Sequence, residues 1–351
     1  MKITQMLKRE DFYTINQKTL AKFFEGQNGR TTLYVYPKLN AIVTRLPAKT
    51  VRDYLLNEYA VRGSFLKKML VQGYVRLCLL SCGLLADKKA EVPADCKNDL
   101  LIYPCNKKYR VFHFDKNEVD VLIKDGFDDS DLVHEKEFRT RSALPSFVPS
   151  LVSVSENGYR EKIIDGMPLA RIHEGFLAYR DEAYALLSEY GKAFEKTVPC
   201  AEYVSRLTAD IQSRAGDKVK DKQKLFAVCE KLCKTASALQ DIPLGFSHGD
   251  LQAGNIWIEN NTKKIYIIDW ESWGERSLWY DRAVLTENLR PGGLTEYLPQ
   301  NGDIAQKAVV LLEDLIFQLN ELNSLPMDFG EQNFEAYLDT LVQWDALNGK
   351  E

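Results

Sequence analysis

The chain has 351 residues, more than one ordinary hydrophobic core requires, so we expect two or three packed units. Hydrophobic residues make up 45% and charged residues 27%, a composition typical of soluble globular proteins, and the net charge of −4 gives no indication of nucleic-acid binding. No signal-peptide core and no stretch of about 18 apolar residues occurs, so we expect a cytoplasmic protein without a transmembrane segment.

Taken in chain order, residues 1–97 are predicted to form an N-terminal extension whose role the sequence does not assign. Short β-rich runs predict strands at residues 31–36 and 41–45, and apolar residues at helical spacing predict helix over residues 51–85. The charged segment 87–97 contains a proline and is predicted to be a linker.

Five runs rich in Val, Ile, Tyr and Phe follow, and a helix is predicted to begin at Ser130 or Asp131 between the third run and the fourth. The five runs are residues 100–104, 109–115, 119–124, 150–154 and 159–164. They predict a β-rich domain over residues 98–165.

The remainder, residues 166–351, is predicted to be a mainly helical domain. Two short strands, at residues 255–258 and 264–268, interrupt the helical pattern. Strands gathered first and helices afterwards predict an α+β fold and not the alternating pattern of a doubly wound sheet.

Charge is distributed unevenly along the chain. Residues 1–130 contain 22 Lys and Arg against 15 Asp and Glu, whereas residues 281–351 contain 4 against 13. The basic first part is compatible with peripheral contact with a membrane, because a predicted apolar helix there contains Arg62, Lys67, Lys68 and Arg76. Solvated helix faces are the other interpretation.

The segment between His248 and Asn255 contains groups that phosphoryl transfer requires. Transfer from ATP needs a carboxylate that accepts the hydroxyl proton, oxygen ligands for Mg²⁺ and positive charge on the phosphates. Asp250 provides the carboxylate, and Asn255, five residues later, provides a neutral oxygen ligand. Asp269, after the next predicted strand, provides an anionic ligand, and Mg²⁺ prefers one or two carboxylates together with phosphate oxygens.

The spacing His-x-Asp-x-x-x-x-Asn, followed after a hairpin by Ile-Asp, resembles the catalytic and metal-binding loops of the protein-kinase-like superfamily. Gly249 and the pair Trp270-Glu271 resemble the aminoglycoside phosphotransferase and choline kinase branch in particular. The resemblance covers roughly residues 98–345 and implies a two-lobed fold with a small antiparallel-sheet N-lobe and a mainly helical C-lobe. It also implies structural roles in the catalytic loop for His248 and for Asp281, which follows Leu278-Trp-Tyr.

The same resemblance implies a lysine at the end of a strand that bridges the α- and β-phosphates, held by a carboxylate on the next helix. Lys124 is the candidate lysine, Glu137 is favoured as its partner, and Glu135 stays open. Ile163 lies where backbone groups hold adenine in that branch.

One departure from the superfamily pattern is that no Gly-x-Gly-x-x-Gly occurs. The turn in its place contains Lys107 and Lys108, which we expect to be exposed hairpin lysines; contact of one of them with phosphate is the other interpretation.

We therefore expect an enzyme that uses ATP and Mg²⁺ to phosphorylate a hydroxyl of a small molecule. The acidic C-terminal part, with Trp270, Trp273, Trp279 and Tyr280 near the metal loop, favours a cationic acceptor such as an amino sugar or a choline-like alcohol, unless these rings anchor the core. The alternatives are a kinase acting on a lipid-linked or cell-envelope glycan, and a nucleotide-binding pseudokinase or scaffold. A pseudokinase is disfavoured because every required chemical group is present.

Overall fold

The computed structural model of the protein describes residues 10–58, 65–105, 107–287, 289–290, 294, 304–324 and 329–348. The chain divides into two compact units, the first within residues 1–132 and 149–164 and the second within residues 133–148 and 165–351. An antiparallel sheet in the first unit and mainly helices in the second confirm the predicted α+β class.

The first unit is built on an eight-stranded sheet in the order β3-β1-β2-β4-β5-β6-β8-β7, in which every neighbouring pair is antiparallel. Its strands are β1 (Thr31–Tyr36), β2 (Ala41–Val43), β3 (Lys88–Val92), β4 (Leu100–Pro104), β5 (Lys108–His113), β6 (Glu118–Ile123), β7 (Leu151–Ser155) and β8 (Gly158–Lys162). Its helices are α1 (Glu10–Phe23), α2 (Lys49–Glu58), α3 (Phe65–Leu80) and the first residues of α4 (Ser130–Arg139).

The two faces of this sheet are covered by different helices, as the alternation of side chains along β1 requires. Leu33 and Val35 pack in one cluster with Leu20 of α1. Tyr34 and Tyr36 pack in another cluster with residues of α2 and α3.

The predicted boundary between residues 97 and 98 falls inside this sheet, because Ile42 of β2 pairs with Ile102 of β4. The predicted linker 87–97 contains strand β3, so that prediction is wrong. Only Ala90 and Val92 of β3 are buried, and two buried positions are too few to give a visible alternation in the sequence.

The second unit combines helices with two three-stranded sheets, β10-β11-β14 and β13-β12-β9. The helices after α4 are α5 (Phe176–Gly191), α6 (Cys200–Arg214), α7 (Lys222–Ala236), α8 (Tyr280–Thr286), α9 (Ile304–Ser324) and α10 (Phe329–Asn348). The strands are β9 (Gly166–Pro168), β10 (Lys196–Pro199), β11 (Asp241–Ser247), β12 (Ile256–Glu259), β13 (Ile265–Ile267) and β14 (Gly274–Ser277). The prediction identified β12 and β13 but missed the other four strands. None of the described helices is long and apolar enough to cross a membrane.

Two hydrophobic clusters organise this unit. The first joins α6, α7, α9 and α10 to Ile242 and Leu244 of β11. The second surrounds Trp270 and includes Phe138 of α4 and Ile267 of β13. Strand β11 lies at the boundary of both clusters, since Phe246 packs against the second, and it leads directly into the loop that begins at His248.

Candidate active site

The loop after β11 is fixed by a buried histidine and a buried aspartate. Asp281 in α8 accepts the backbone N–H groups of His248 (2.9 Å) and Gly249 (3.1 Å). The His248 ring donates from Nε2 to the carbonyl of Ile268 (3.0 Å), and its Nδ1 accepts the N–H of Asp250 (3.2 Å). Burial lowers the pKa of His248, in agreement with a neutral ring that donates at one nitrogen and accepts at the other.

Gly249 is required by the geometry of this turn. Its φ of +83° lies in the left-handed region, and a Cβ at this position would lie 2.0 Å from the carbonyl oxygen of Ser272. A side chain therefore adds both backbone strain and a clash with another backbone segment.

We expect Gly249→Ala to lower the free energy of unfolding by about 2 kcal/mol or more, because left-handed strain alone costs roughly 1–2 kcal/mol. Gly254→Ala is the matched control in the same loop, since a Cβ there meets no atom within 4 Å. Urea unfolding of both variants tests this expectation, and equal stabilities would contradict it.

Asp250 is held by hydrogen bonds on both carboxylate oxygens. Oδ1 accepts from Nε of Arg290 (2.8 Å), and Oδ2 accepts from the side-chain amides of Gln252 (2.9 Å) and Asn255 (3.1 Å). A carboxylate offers about four acceptor positions, so these three bonds orient the group and leave it capacity for a further donor.

Arg290 connects the loop that contains Asp250, called the catalytic loop below after its predicted role, to helix α9. Its guanidinium also donates to the carbonyl of Gly249 (3.0 Å) and to Asp314 of α9 (2.6 Å), and it lies over the ring of Phe317 at 4.0 Å. Asp314 is fully buried and accepts further bonds from Tyr280 and from Tyr337 of α10. The sequence analysis missed Arg290, because nothing in its sequence surroundings connects it to a residue forty positions earlier.

The loop that is predicted to bind metal, called the metal loop below, follows β13. Asp269 adopts a left-handed conformation (φ 69°, ψ 59°), which Asp tolerates better than most residues. The next residue, Trp270, is fully buried and donates from its indole to the carbonyl of Ile267 (2.8 Å). The N–H of Ile268 donates to the carbonyl of Asn255 (2.9 Å), so a backbone hydrogen bond joins this loop to the loop that contains Asp250.

Three carboxylates come together at this loop. One oxygen each of Glu135, Asp269 and Glu271 lies within 4.8 Å of the others. Carboxylates are the ligands that Mg²⁺ prefers, and three negative charges at this separation are stabilised by a divalent cation. The amide nitrogen of Asn255 donates twice to Asp250, which leaves the amide oxygen as its acceptor atom. The donor set fits a magnesium ion.

The structure distinguishes the two glutamates of α4. Glu135 is fully buried and its carboxylate joins Asp269 and Glu271. The Glu137 side chain is 64% exposed and lies 3.5 Å from the ring of His134. Of the two candidates, Glu135 is the one that the second unit brings to the metal loop.

Lys124 belongs to the first unit, where its side chain is 1% exposed and donates to the carbonyl of Cys105. It lies over the rings of Tyr109 (5.5 Å) and Phe127 (5.8 Å). It also lines a cavity of about 580 Å³, and Thr19 of α1 contributes to the wall of that cavity. The pairing predicted for Lys124 would join residues of different units and stays a prediction.

One expectation about the nucleotide site is wrong, and another stays a prediction. Lys107 and Lys108 are buried, not exposed, and Lys107 forms an ion pair with Asp131 (2.7 Å). The backbone N–H of Ile163 donates to the carbonyl of Asn117 (3.1 Å). The predicted role of backbone groups around Ile163 in holding adenine stays a prediction.

The aromatic residues near the metal loop are mainly core residues. Trp270 and Tyr280 are fully buried, and Trp279 packs against the helical core. One side of Trp273 stacks on His134, with ring centroids 4.5 Å apart, and the guanidinium of Arg141 lies 4.2 Å from its ring centroid. These rings do not form an exposed aromatic surface for a cationic acceptor.

No protein-family model matches this sequence, and no curated protein has a significant sequence match. Among solved structures, a thermostable mutant of aminoglycoside phosphotransferase APH(4)-Ia is 13% identical to this chain, with a TM-score of 0.50. The match covers 72% of this chain and 96% of that structure. A choline/ethanolamine kinase family protein from Mesorhizobium loti is 15% identical, with a TM-score of 0.47 over 80% of this chain and 95% of its own. The likeness to the aminoglycoside phosphotransferase structure supports the α+β fold that the sequence resemblance predicts, with an antiparallel sheet followed by mainly helices.

Proposed function

We propose that the protein is a small-molecule kinase that transfers the γ-phosphoryl group of ATP to a hydroxyl group. The proposal depends on one observation above all: Asp250 and Asn255 lie on one loop, Asp269 and Glu271 lie on another, and the two loops are hydrogen-bonded to each other. Glu135 of α4 adds a third carboxylate beside Asp269 and Glu271. A proton acceptor beside a metal-binding carboxylate group is what phosphoryl transfer to an alcohol requires.

In this mechanism Asp250 accepts the hydroxyl proton as the acceptor oxygen bonds to the γ-phosphorus and the bond to ADP breaks. Arg290 and Gln252 keep the Asp250 carboxylate in a single orientation. Asp269, Glu271 and Asn255 are the proposed metal ligands, with Glu135 beside them. A magnesium ion held there supplies positive charge to the phosphate oxygens.

The acidic C-terminal part supports a cationic acceptor less than its composition suggests. Asp314 binds Arg290, and Glu313 accepts from the backbone N–H and the hydroxyl of Ser277. Farther along, Lys220 pairs with Glu331 and Lys224 pairs with Asp339. Because these carboxylates already have partners inside the unit, we propose a small hydroxyl compound as acceptor without a requirement for positive charge.

Turnover of Mg·ATP with a panel of alcohols tests the function. Choline, ethanolamine and hygromycin B supply the cationic members, and neutral sugars with 3,3-dimethyl-1-butanol, a neutral analogue of choline, supply the matched controls. We expect ADP release that requires an acceptor, and an acceptor KM that changes less than about threefold between low and physiological salt.

A steep rise of the acceptor KM with salt would instead support the interpretation that the acceptor is cationic. Tight nucleotide binding without turnover of any acceptor would instead support the pseudokinase alternative.

A further inference from the structure

Helix α3 and the turn after it expose an apolar surface. Six large apolar side chains there are more than half exposed, and together we call them the leucine face: Leu66, Met69, Leu70, Leu77, Leu80 and Leu84. Elsewhere in the described part of the chain only Leu177, in α5, exposes a large apolar side chain to this degree. Soluble monomers rarely leave such a contiguous apolar surface uncovered.

The leucine face is the outer side of a helix whose inner side is already packed. Val75, Cys78 and Leu79 of the same helix are at most 1% exposed and belong to the core of the first unit. Five members lie on the helix, and their separations of three, four, seven and sums of these place them along one side of it: Leu66, Met69, Leu70, Leu77 and Leu80. Leu84 lies in the turn that follows. The helix is therefore packed against the first unit on one side, and its other side exposes the leucine face.

The charge of the surrounding sequence indicates which kind of surface the leucine face binds. Residues 59–86 contain Arg62, Lys67, Lys68 and Arg76 but no Asp or Glu, although the whole chain has 50 acidic residues in 351. At that frequency about four acidic residues would stand in this segment. Arg76 is exposed on α3 beside Leu77.

We propose that the leucine face docks on an anionic lipid surface, with α3 lying parallel to the membrane. Exposed leucines beside basic residues, without acidic ones, are typical of helices that enter the boundary between headgroups and acyl chains. Each Lys or Arg near such a surface is attracted to its negative potential, whereas two copies of this helix would bring like charges together. The docking does not depend on the proposed kinase activity.

Co-sedimentation of the full chain with lipid vesicles tests the proposal. We expect binding to vesicles of phosphatidylcholine with phosphatidylglycerol that exceeds binding to phosphatidylcholine alone by at least about tenfold, and that weakens as salt is raised. The double variant Leu70→Gln/Leu77→Gln is expected to lose at least about tenfold in binding, since two apolar side chains no longer enter the lipid. Leu177→Gln is the matched control, because Leu177 and Leu77 are both 60% exposed on helices, and it should bind like the original protein.

Thermal unfolding shows whether the double variant is folded. Arg76→Gln gives a second variant, whose binding should fall several-fold on the anionic vesicles alone.

Absence of vesicle binding by the original protein would overturn the proposal, as would equal losses of binding in the Leu177→Gln control. A dimer in light scattering that the double variant abolishes, without vesicle binding, would show that a second copy covers the leucine face. Alcohol phosphorylation measured without vesicles is expected to be the same in all these variants, so a failure of docking is distinguishable from a failure of the kinase assignment.

Discussion

Replacing Asp250 with Asn is expected to lower kcat by on the order of 10²–10⁴-fold, the range typical of a positioned proton acceptor. The asparagine side chain keeps an oxygen that can accept from Arg290, but the amide cannot take the hydroxyl proton, and its NH2 group replaces the oxygen that accepts from Gln252 and Asn255. Affinity for Mg·ATP should change little, because the proposed metal ligands are other residues. Steady-state turnover with the best acceptor, together with calorimetric titration of nucleotide, separates these two effects.

The control for this experiment is Asp181→Asn, which removes a carboxylate whose side chain is 64% exposed on α5. It should keep the original kcat and affinity. If Asp250→Asn also turned over at the original rate, Asp250 would not be the proton acceptor, and the kinase mechanism proposed for this loop would fail with it.

The contact between Asp250 and Asn255 was predictable because the two residues are close in sequence. Asp250 and Asn255 are five residues apart, and a turn of that length brings an amide to a carboxylate; the observed contact of 3.1 Å has this origin. The contacts of Asp250 with residues distant in sequence were not predictable in the same way. Arg290 reaches Asp250 through the packing of a segment forty residues away, and no local pattern encodes that contact.

The choice between Glu135 and Glu137 shows a different limit. Both lie on α4, and a helix with apolar residues on more than one side does not specify from sequence which of two nearby carboxylates turns inward. Tertiary packing decides it, since Glu135 is buried beside Asp269 while Glu137 faces solvent. The burial of Lys107 and Lys108 has a similar cause, because an ion pair with Asp131 accompanies the burial of Lys107.

Loss of the carboxylate of Asp269, a proposed metal ligand, is the second large effect that we expect. Asp269→Asn should reduce Mg²⁺-dependent affinity for ATP by on the order of 10²-fold, because it removes one negative charge from the three-carboxylate group. Asn is the appropriate replacement, since it tolerates the left-handed backbone of Asp269 and keeps the volume of the side chain. Titration of ATP with and without Mg²⁺ isolates the metal-dependent part of the affinity.

The two glutamates of α4 provide a matched pair for the same titration. Glu135→Gln should weaken Mg²⁺-dependent ATP binding, because its carboxylate lies with those of Asp269 and Glu271, whereas Glu137→Gln changes an exposed side chain and should bind like the original protein. Both substitutions remove one charge from the same helix, so a general electrostatic effect would appear in both variants equally. Equal affinities in the two variants would remove Glu135 from the metal site, and original affinity in Asp269→Asn would place the metal elsewhere. If Mg²⁺-dependent affinity for ATP falls in Glu135→Gln and Asp269→Asn but not in Glu137→Gln, the cation binds at these carboxylates.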